Sequence, residues 1–334
     1  MKTLIRGLSI LCVIGLLACS GLCVDLLIYA YKPAHTVPIR KTFVLVPGQG
    51  VKHIAAELYQ EGLITRPIHF ELLARVKGCD RNIKAGEYDL SPVMAPNRIL
   101  DLLVSGTVRL HKITIPEGFN LVQIASALDE AELVDASEFK TEAGNPDFLR
   151  RLNIPATSPE GYLFPDTYHF PKGMPAREII SAMVDRFNTV VTPEWRQTAT
   201  KLGFSMHNIV TLASIIEKET GAPSERPIIS SVFHNRLKKS MRLESDPTVI
   251  YGIDNFDGNL TRRHLNTRTA YNTYKIKGLP PGPIANPGLK SLEAALYPAD
   301  TRYLYFVARK DRTHQFSTNI RDHNRAVRKY QLRK

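Results

Sequence analysis

Apolar residues are distributed along this chain in two different ways. Residues 7–31 form a nearly continuous uncharged run rich in Leu, Ile, Val and Cys, interrupted only by Asp25. A helix crossing the hydrocarbon core of a bilayer needs about 20 apolar residues. The run therefore predicts a transmembrane signal anchor over residues 7–31, behind a short N-terminal segment of residues 1–6. It exceeds the roughly 7–15 residues of a cleavable leader's apolar core, and no small-x-small site closes it. Leu16-Leu17-Ala18-Cys19 loosely resembles a lipobox, but the apolar run continues beyond Cys19 where a lipoprotein turns polar. Lys2 and Arg6 precede the run while Lys32, Arg40 and Lys41 follow it, so the charge count does not set its orientation.

After a polar linker at 32–42, the apolar positions become periodic, and one pattern occurs twice. Val44-Leu45-Val46-Pro47-Gly48 leads into Ile54-Ala55-Ala56-Glu57-Leu58. Ile113-Thr114-Ile115-Pro116-Glu117-Gly118 leads into Ile124-Ala125-Ser126-Ala127-Leu128. Each copy reads as a β-branched strand, a Pro/Gly turn and an amphipathic helix with a three-to-four spacing. The first copy continues into a helix at 67–77, an extended piece at 85–90 and a helix at 96–104. Pro96 suits a first helical turn and Gly106 a C-terminal cap. A strand, two short helices and a return strand form the plan of the glycan-binding LysM module, so residues 43–107 predict a small LysM-like α/β subdomain. A generic α/β adaptor without a ligand has the same plan.

Residues 108–334 predict a larger mixed domain. Helices are expected at 120–131, 176–188, 193–202, 207–220 and 224–239, strands at 303–308 and 314–317, and a basic terminal helix at 320–332. Residues 241–298 are rich in Pro, Gly, Asn and Thr and read as long ordered loops, which in a compact domain tend to serve function. The expected fold class is α+β: a transmembrane helix, the LysM-like piece and the mixed catalytic domain.

Composition narrows the chemistry. The formal charge of +12 favours an anionic partner without choosing among nucleic acid, lipid and cell-wall polymer. Three of the four cysteines (Cys12, Cys19, Cys23) fall in the apolar run, leaving Cys79 with no internal disulfide partner. No Cys/His spacing resembles a metal site, and neither a phosphate loop nor a nucleophile elbow occurs. No metal or cofactor is expected.

Carboxylates remain. In Leu212-Ala213-Ser214-Ile215-Ile216-Glu217-Lys218-Glu219-Thr220, an apolar stripe of Ile209, Leu212, Ala213 and Ile216 is bordered by Glu217 on one side and Glu219 on the other. A carboxyl beside apolar surface is partly desolvated and holds its proton toward neutrality, as a general acid for glycosidic cleavage requires. Helical geometry does not choose between the two. The loops at 160–168, 245–249 and 270–274 add aromatic rings beside amides and acids, a surface suited to sugars. Each tyrosine there equally suits core packing, and Asp166 and Asp246 equally suit turns and caps.

At these motifs the chain resembles the MltG/YceG-like family of endolytic murein transglycosylases. The likeness runs through EGYLFPDTY (160–168), LASIIEKET (212–220), SERPIISSVFHNRL (224–237) and LESDPTVIYG (243–252). It continues through AYNTY (270–274), GLPPGPIANPG (278–288) and LYFVA (304–308). The segment 310–313 departs from it, because a glycine is expected before His314. The resemblance implies that Glu217 is the catalytic acid and base, and that Glu160, Tyr162, Asp246, Tyr271 and Asn272 line the cleft. It also implies peptidoglycan strands as substrate, the cytoplasmic membrane as anchor with the catalytic domain outside it, and peptidoglycan synthases as further partners.

The implied reaction is protonation of the oxygen between N-acetylmuramic acid and N-acetylglucosamine, followed by capture of the cation by the muramoyl C6 hydroxyl. The product carries a 1,6-anhydro end. Two alternatives compete: a muramidase-type hydrolase with Asp166 or Asp246 as second carboxylate, and a catalytically silent peptidoglycan-binding scaffold. Nucleic acid is not an expected partner, since no recognition motif occurs.

Overall fold

The computed structural model describes residues 2–332, with side chains from residue 13 onward. Met1, Arg333 and Lys334 lie outside the described residues, as do the side chains of Lys2, Arg6 and Cys12. The chain forms two compact units, residues 1–111 with 171–173, and residues 112–170 with 174 onward.

The first unit contains α1 (Lys2–Tyr31), β1 (Lys41–Leu45), α2 (Val51–Gln60), α3 (Pro67–Val76), β2 (Gly86–Leu90) and α4 (Pro96–Ser105). Within α1, Val13–Tyr31 is long and apolar enough to cross a membrane. Its acidic residue has partners: Asp25 accepts from Arg66 at 3.0 Å and pairs with His69 at 2.8 Å. Beside it Leu26, Tyr29 and Ala30 are buried in the unit's own core. The last turns of α1 are thus globular structure as well as apolar helix.

Strands β1 and β2 pair antiparallel, with Phe43 opposite Tyr88. Phe43, Leu45, Tyr88 and Leu90 are buried while Val44 and Asp89 between them are exposed, the two-residue period of a half-buried sheet. The expected order of strand, two helices and return strand is present. Gly106 closes α4 in the left-handed region at φ 73°, where a side chain would be strained.

The second unit opens within β3 (His111–Thr114), at Lys112, and continues with α5 (Leu121–Glu130), α6 (Ala136–Ala143), α7 (Pro146–Arg151) and β4 (Thr167–Phe170), with β3 beside β4. The second copy of the repeated pattern therefore also returns to pair with its own first strand. Next come α8 (Ala176–Val190), α9 (Pro193–Lys201), α10 (Met206–Glu219) and α11 (Arg226–Lys238), then α12 (Asp246–Tyr251), α13 (Arg262–Asn266) and α14 (Leu289–Leu296). The chain ends with the antiparallel hairpin β5 (Tyr305–Ala308) and β6 (His314–Ser317), followed by α15 (Ile320–Tyr330).

Two differences from the sequence pattern have physical causes. The stretch 241–298 holds α12, α13 and α14, which are only one or two turns long and too short to show a period. In the β5–β6 turn Arg312 adopts φ 68°, a conformation glycine takes without penalty. Arg312 lies in the segment 310–313, where the resemblance leads one to expect a glycine.

Every residue from Ile209 to Ile216 in α10 is buried, the mark of a helix enclosed on all sides. Helices α14, α11, α9 and α12 pack around it. Ser205 starts it with a reciprocal cap to Asn208. The helix is thereby fixed along its length and delivers Glu217 and Glu219 at its far end.

Candidate active site

Two carboxylates at a helix C-terminus oppose the negative end of the helix dipole, so each needs a separate source of stabilisation. They find different ones. Glu217 has a side chain only 8% exposed. Its Oε1 accepts from the Arg226 guanidinium at 3.2 Å, and its Oε2 accepts from the Gly288 N–H at 3.1 Å. Arg226 opens α11 and Gly288 caps α14. The carboxylate is held where three helix ends meet.

Glu219 points elsewhere. It accepts from the Ser245 hydroxyl at 2.6 Å in a recess of about 460 Å³ shared with Arg236, Glu244, Asp246, Tyr274 and His314. Desolvation in that recess pushes its carboxyl up to about 7. The two glutamates that helical geometry left tied thus occupy separate environments.

A residue the sequence reading used only as part of a turn joins Glu217. Glu117, from Pro116-Glu117-Gly118 after β3, lies with Oε2 3.6 Å from the same Arg226 nitrogen. Burial, with Glu217 adding to it, raises the Glu117 carboxyl above its ordinary range. Its side chain lies over Gly288, where an added Cβ would meet Oε1 at 1.9 Å. The turn also covers Glu217: a Cβ on Gly118 would stand 3.4 Å from Glu217 Cγ. One cation between two acids, and a glycine between them on the other side, make up the centre.

A buried polar web holds this turn. Asn286, fully buried, accepts through Oδ1 from the N–H groups of Gly161 and Leu163 at 2.8 and 2.9 Å. Through Nδ2 it donates to Phe119 O at 3.0 Å and Glu160 Oε1 at 2.8 Å. Its own carbonyl accepts from the Gly118 N–H at 2.9 Å. Glu160 is buried, accepts from the Leu121 N–H and from the Tyr251 hydroxyl at 3.2 Å, and is pushed by burial up to about 7. Tyr251 packs on Tyr271 with ring centroids 4.8 Å apart.

The structure therefore connects Glu217 with Glu160 and, through Tyr251, with Tyr271. It places the other expected cleft residues apart. Tyr162 is buried, and its hydroxyl meets His207 Nδ1 at 2.9 Å. His207 lies ten residues back on α10, about 15 Å from Glu217 at the helical rise. Asn272 is fully buried and donates to the carbonyls of His264, Leu265 and Thr267, so it staples its own loop. Asp246 accepts from Tyr274 at 2.7 Å in the Glu219 recess. Asp166 pairs with Arg186 at 2.6 Å. Neither aspartate contacts Glu217; the neighbouring second carboxylate is Glu117. Arg226, Gly288 and Asn286 lie within the sequence motifs, but only hydrogen bonds spanning 9 to 168 positions single them out.

Fold and centre together define a mixed α+β protein with an apolar N-terminal helix and a carboxylate site at the end of a buried helix. The YceG-like family matches residues 43–329, and the chain belongs to that family. An endolytic murein transglycosylase of Bacillus subtilis is 37% identical over 302 residues, covering 85% of this chain and 82% of its own. One of the same name from Streptococcus pneumoniae is 28% identical, covering 90% of this chain and 61% of its own. The crystal structure of a YceG-like protein from Listeria monocytogenes is 34% identical, with a TM-score of 0.60, and covers 87% of this chain and all of that one.

Proposed function

We propose that Glu217 is the general acid and base of this endolytic murein transglycosylase. The chain is a lytic transglycosylase by its family and its relatives. The observation that carries the assignment to Glu217 is its near-complete enclosure beside a second acid, Glu117. Arg226 and the Gly288 N–H are donors placed for the carboxylate form, in which it acts as base.

Protonated, Glu217 donates to the oxygen linking N-acetylmuramic acid to N-acetylglucosamine, and the leaving sugar departs with that proton. The carboxylate then takes the proton of the muramoyl C6 hydroxyl as that oxygen closes on C1, giving the 1,6-anhydro end and restoring the acid. No second carboxylate is needed, because the nucleophile belongs to the substrate and is held at high effective concentration. Each cycle changes the charge of Glu217, and Arg226 must remain in place through that change. Glu117 supplies the alternative acceptor when Glu217 is neutral.

The first unit, with its strand–helix–helix–strand order, serves as a LysM-like glycan-binding piece, and α1 anchors the chain in the cytoplasmic membrane with the chain after it outside. Peptidoglycan synthases, which make the strands this reaction ends, are the expected neighbours there.

The test is Glu217→Gln on purified peptidoglycan, with products scored by mass. The wild type should yield anhydro-muropeptides, and the variant should lose at least about 100-fold in rate. Reducing muramic ends from the wild type would make the protein a hydrolase, with Glu117 its second carboxylate. Full activity in Glu217→Gln would remove Glu217 from the chemistry.

A further inference from the structure

Beside the centre lies a groove of about 610 Å³ lined by Trp195 of α9, Pro223 just before α11, Arg226 and Pro227 in its first turn, Lys290 of α14 and Tyr297 at the end of that helix. Three facts tie it to Glu217. Arg226, whose outer nitrogen holds Glu217, forms part of its wall. Helix α14 begins at the glycine whose N–H meets Glu217 and continues along the groove to Tyr297. Nine residues at the helical rise extend it about 14 Å from the carboxylate. Finally, the Arg226 Nε is buried without a hydrogen-bond partner among the described residues, and such a donor is costly to leave unmatched.

The lining also has a chemical character. Trp195 and Tyr297 offer aromatic faces, and Tyr297 is 53% exposed, with no core role to explain it. Lys290 supplies positive charge at the rim, while the Arg226 guanidinium is already engaged by Glu217 and Glu117. Lys290 pairs with Glu293, which also lines the groove, at 2.8 Å, but an exposed pair three residues apart on a helix holds its partners weakly. The ammonium can therefore exchange Glu293 for another anion. Flat aromatic surface beside an exchangeable cation matches a sugar ring bearing an acidic arm, with C–H faces for the rings and a carboxylate for the ammonium.

We propose that this groove is a saccharide subsite that receives a muramoyl unit one or more sugars from the bond being cut and recognises the carboxylates of its peptide arm. The proposal rests on the transglycosylase reading for its ligand, but its readout does not depend on turnover. Trp195 is the only tryptophan in the chain, so protein emission excited at the indole band reports on this groove alone.

The full chain in detergent, as Glu217→Gln so that ligand is not consumed, is titrated with a peptide-bearing peptidoglycan tetrasaccharide and with chitotetraose. The peptide-bearing fragment should change Trp195 emission saturably. Tyr297→Ala and Lys290→Glu should each weaken it about tenfold, the scale of one lost aromatic or charge-assisted contact. Lys290→Glu should leave chitotetraose unaffected. In the otherwise wild-type enzyme Tyr297→Ala should raise KM with kcat little changed. If wild-type enzyme makes anhydro ends while emission stays flat and Tyr297→Ala keeps its KM, the groove is not a subsite, although the reaction stands. Saturable emission without any anhydro product would keep the groove and overturn the reaction. Equal response to both ligands in Lys290→Glu and its parent would overturn recognition of the peptide carboxylates.

Discussion

Arg226 meets Glu217 at 3.2 Å through the same nitrogen that lies 3.6 Å from Glu117. A single cation is therefore shared by two carboxylates of unequal exposure, one enclosed and the other with about half its side chain open, 8% against 48%. The enclosed one performs the proposed proton transfers. In the same proposal the open one holds the cation when its neighbour is neutral.

Replacing Glu117 by Gln tests that division. The side chain is half-exposed, so folding should be unchanged by circular dichroism and thermal melting. Activity should fall about tenfold, in kcat more than in KM, because a residue that steadies Arg226 acts on the reacting state. Unchanged kcat would leave Glu117 without a role in the reaction.

Two glycines near this centre should respond oppositely to alanine. At Gly288 φ is −76°, which alanine accepts, and the clash is with the carboxyl end of Glu117, a side chain able to swing away. Gly288→Ala should therefore cost less than about 1 kcal/mol of stability while reproducing the kinetic loss of Glu117→Gln. Gly161 sits at φ 85°, and a Cβ there would lie 2.4 Å from Pro283 Cγ and 2.7 Å from Val210 Cγ1. Neither neighbour can yield, and the backbone itself is strained. Gly161→Ala should cost roughly 3 kcal/mol or more. Denaturant unfolding of the two variants compares them directly, and equal costs would contradict this account.

What the sequence reveals about this centre depends on the range of each interaction. The bounds of α10 are legible because Ser205 caps it locally and its apolar positions recur at helical spacing. The stripe of Ile209, Leu212, Ala213 and Ile216 understates a helix buried on every side from Ile209 to Ile216, although Glu217 and Glu219 do take separate partners beyond it. The choice between them is not legible from helical geometry, because Arg226, Gly288 and Ser245 reach the helix end from other parts of the chain; only the motif resemblance points to Glu217. Glu117 was hidden for the same reason: in Pro116-Glu117-Gly118 it reads as a turn, and its meaning comes from residues 100 or more positions away. Tyr162 and Asn272 show the converse. They belong to motifs rich in polar and aromatic groups, yet each is occupied in holding its own surroundings.

Burial of Glu160 makes stability depend on pH. Its carboxyl is pushed up to about 7 from an ordinary value of 4.5. Between those values the folded chain keeps a proton that the unfolded chain has already released. Stability therefore falls as pH rises through that interval and levels off above it. Glu219, also raised to about 7, adds in the same direction. Melting temperatures measured from pH 4.5 to 7.5 should decline for the wild type and decline less for Glu160→Gln. That variant should also be less stable at the acid end, by about 1–3 kcal/mol, because its amide presents hydrogens to donors that Glu160 accepts from. A wild-type profile that rises across this interval would reverse the assignment.

The pairing of Arg226 with Glu217 predicts a specific failure of additivity. Arg226→Ala leaves Glu217 enclosed with only the Gly288 N–H as donor, and stranding one member of a buried pair costs about 3–5 kcal/mol. In a Glu217→Gln background the same substitution strands a neutral amide, so it should cost less. The coupling between the two positions should be at least about 1 kcal/mol. Lysine at 226 keeps the charge but is a compact ammonium in place of the planar guanidinium. Arg226→Lys should therefore recover part of the stability lost in Arg226→Ala while leaving kcat depressed about tenfold or more. Unfolding of the four proteins in the cycle, with kinetics of the lysine variant alongside, measures both effects. Strict additivity would mean that the cation and the carboxylate stand near one another without depending on one another.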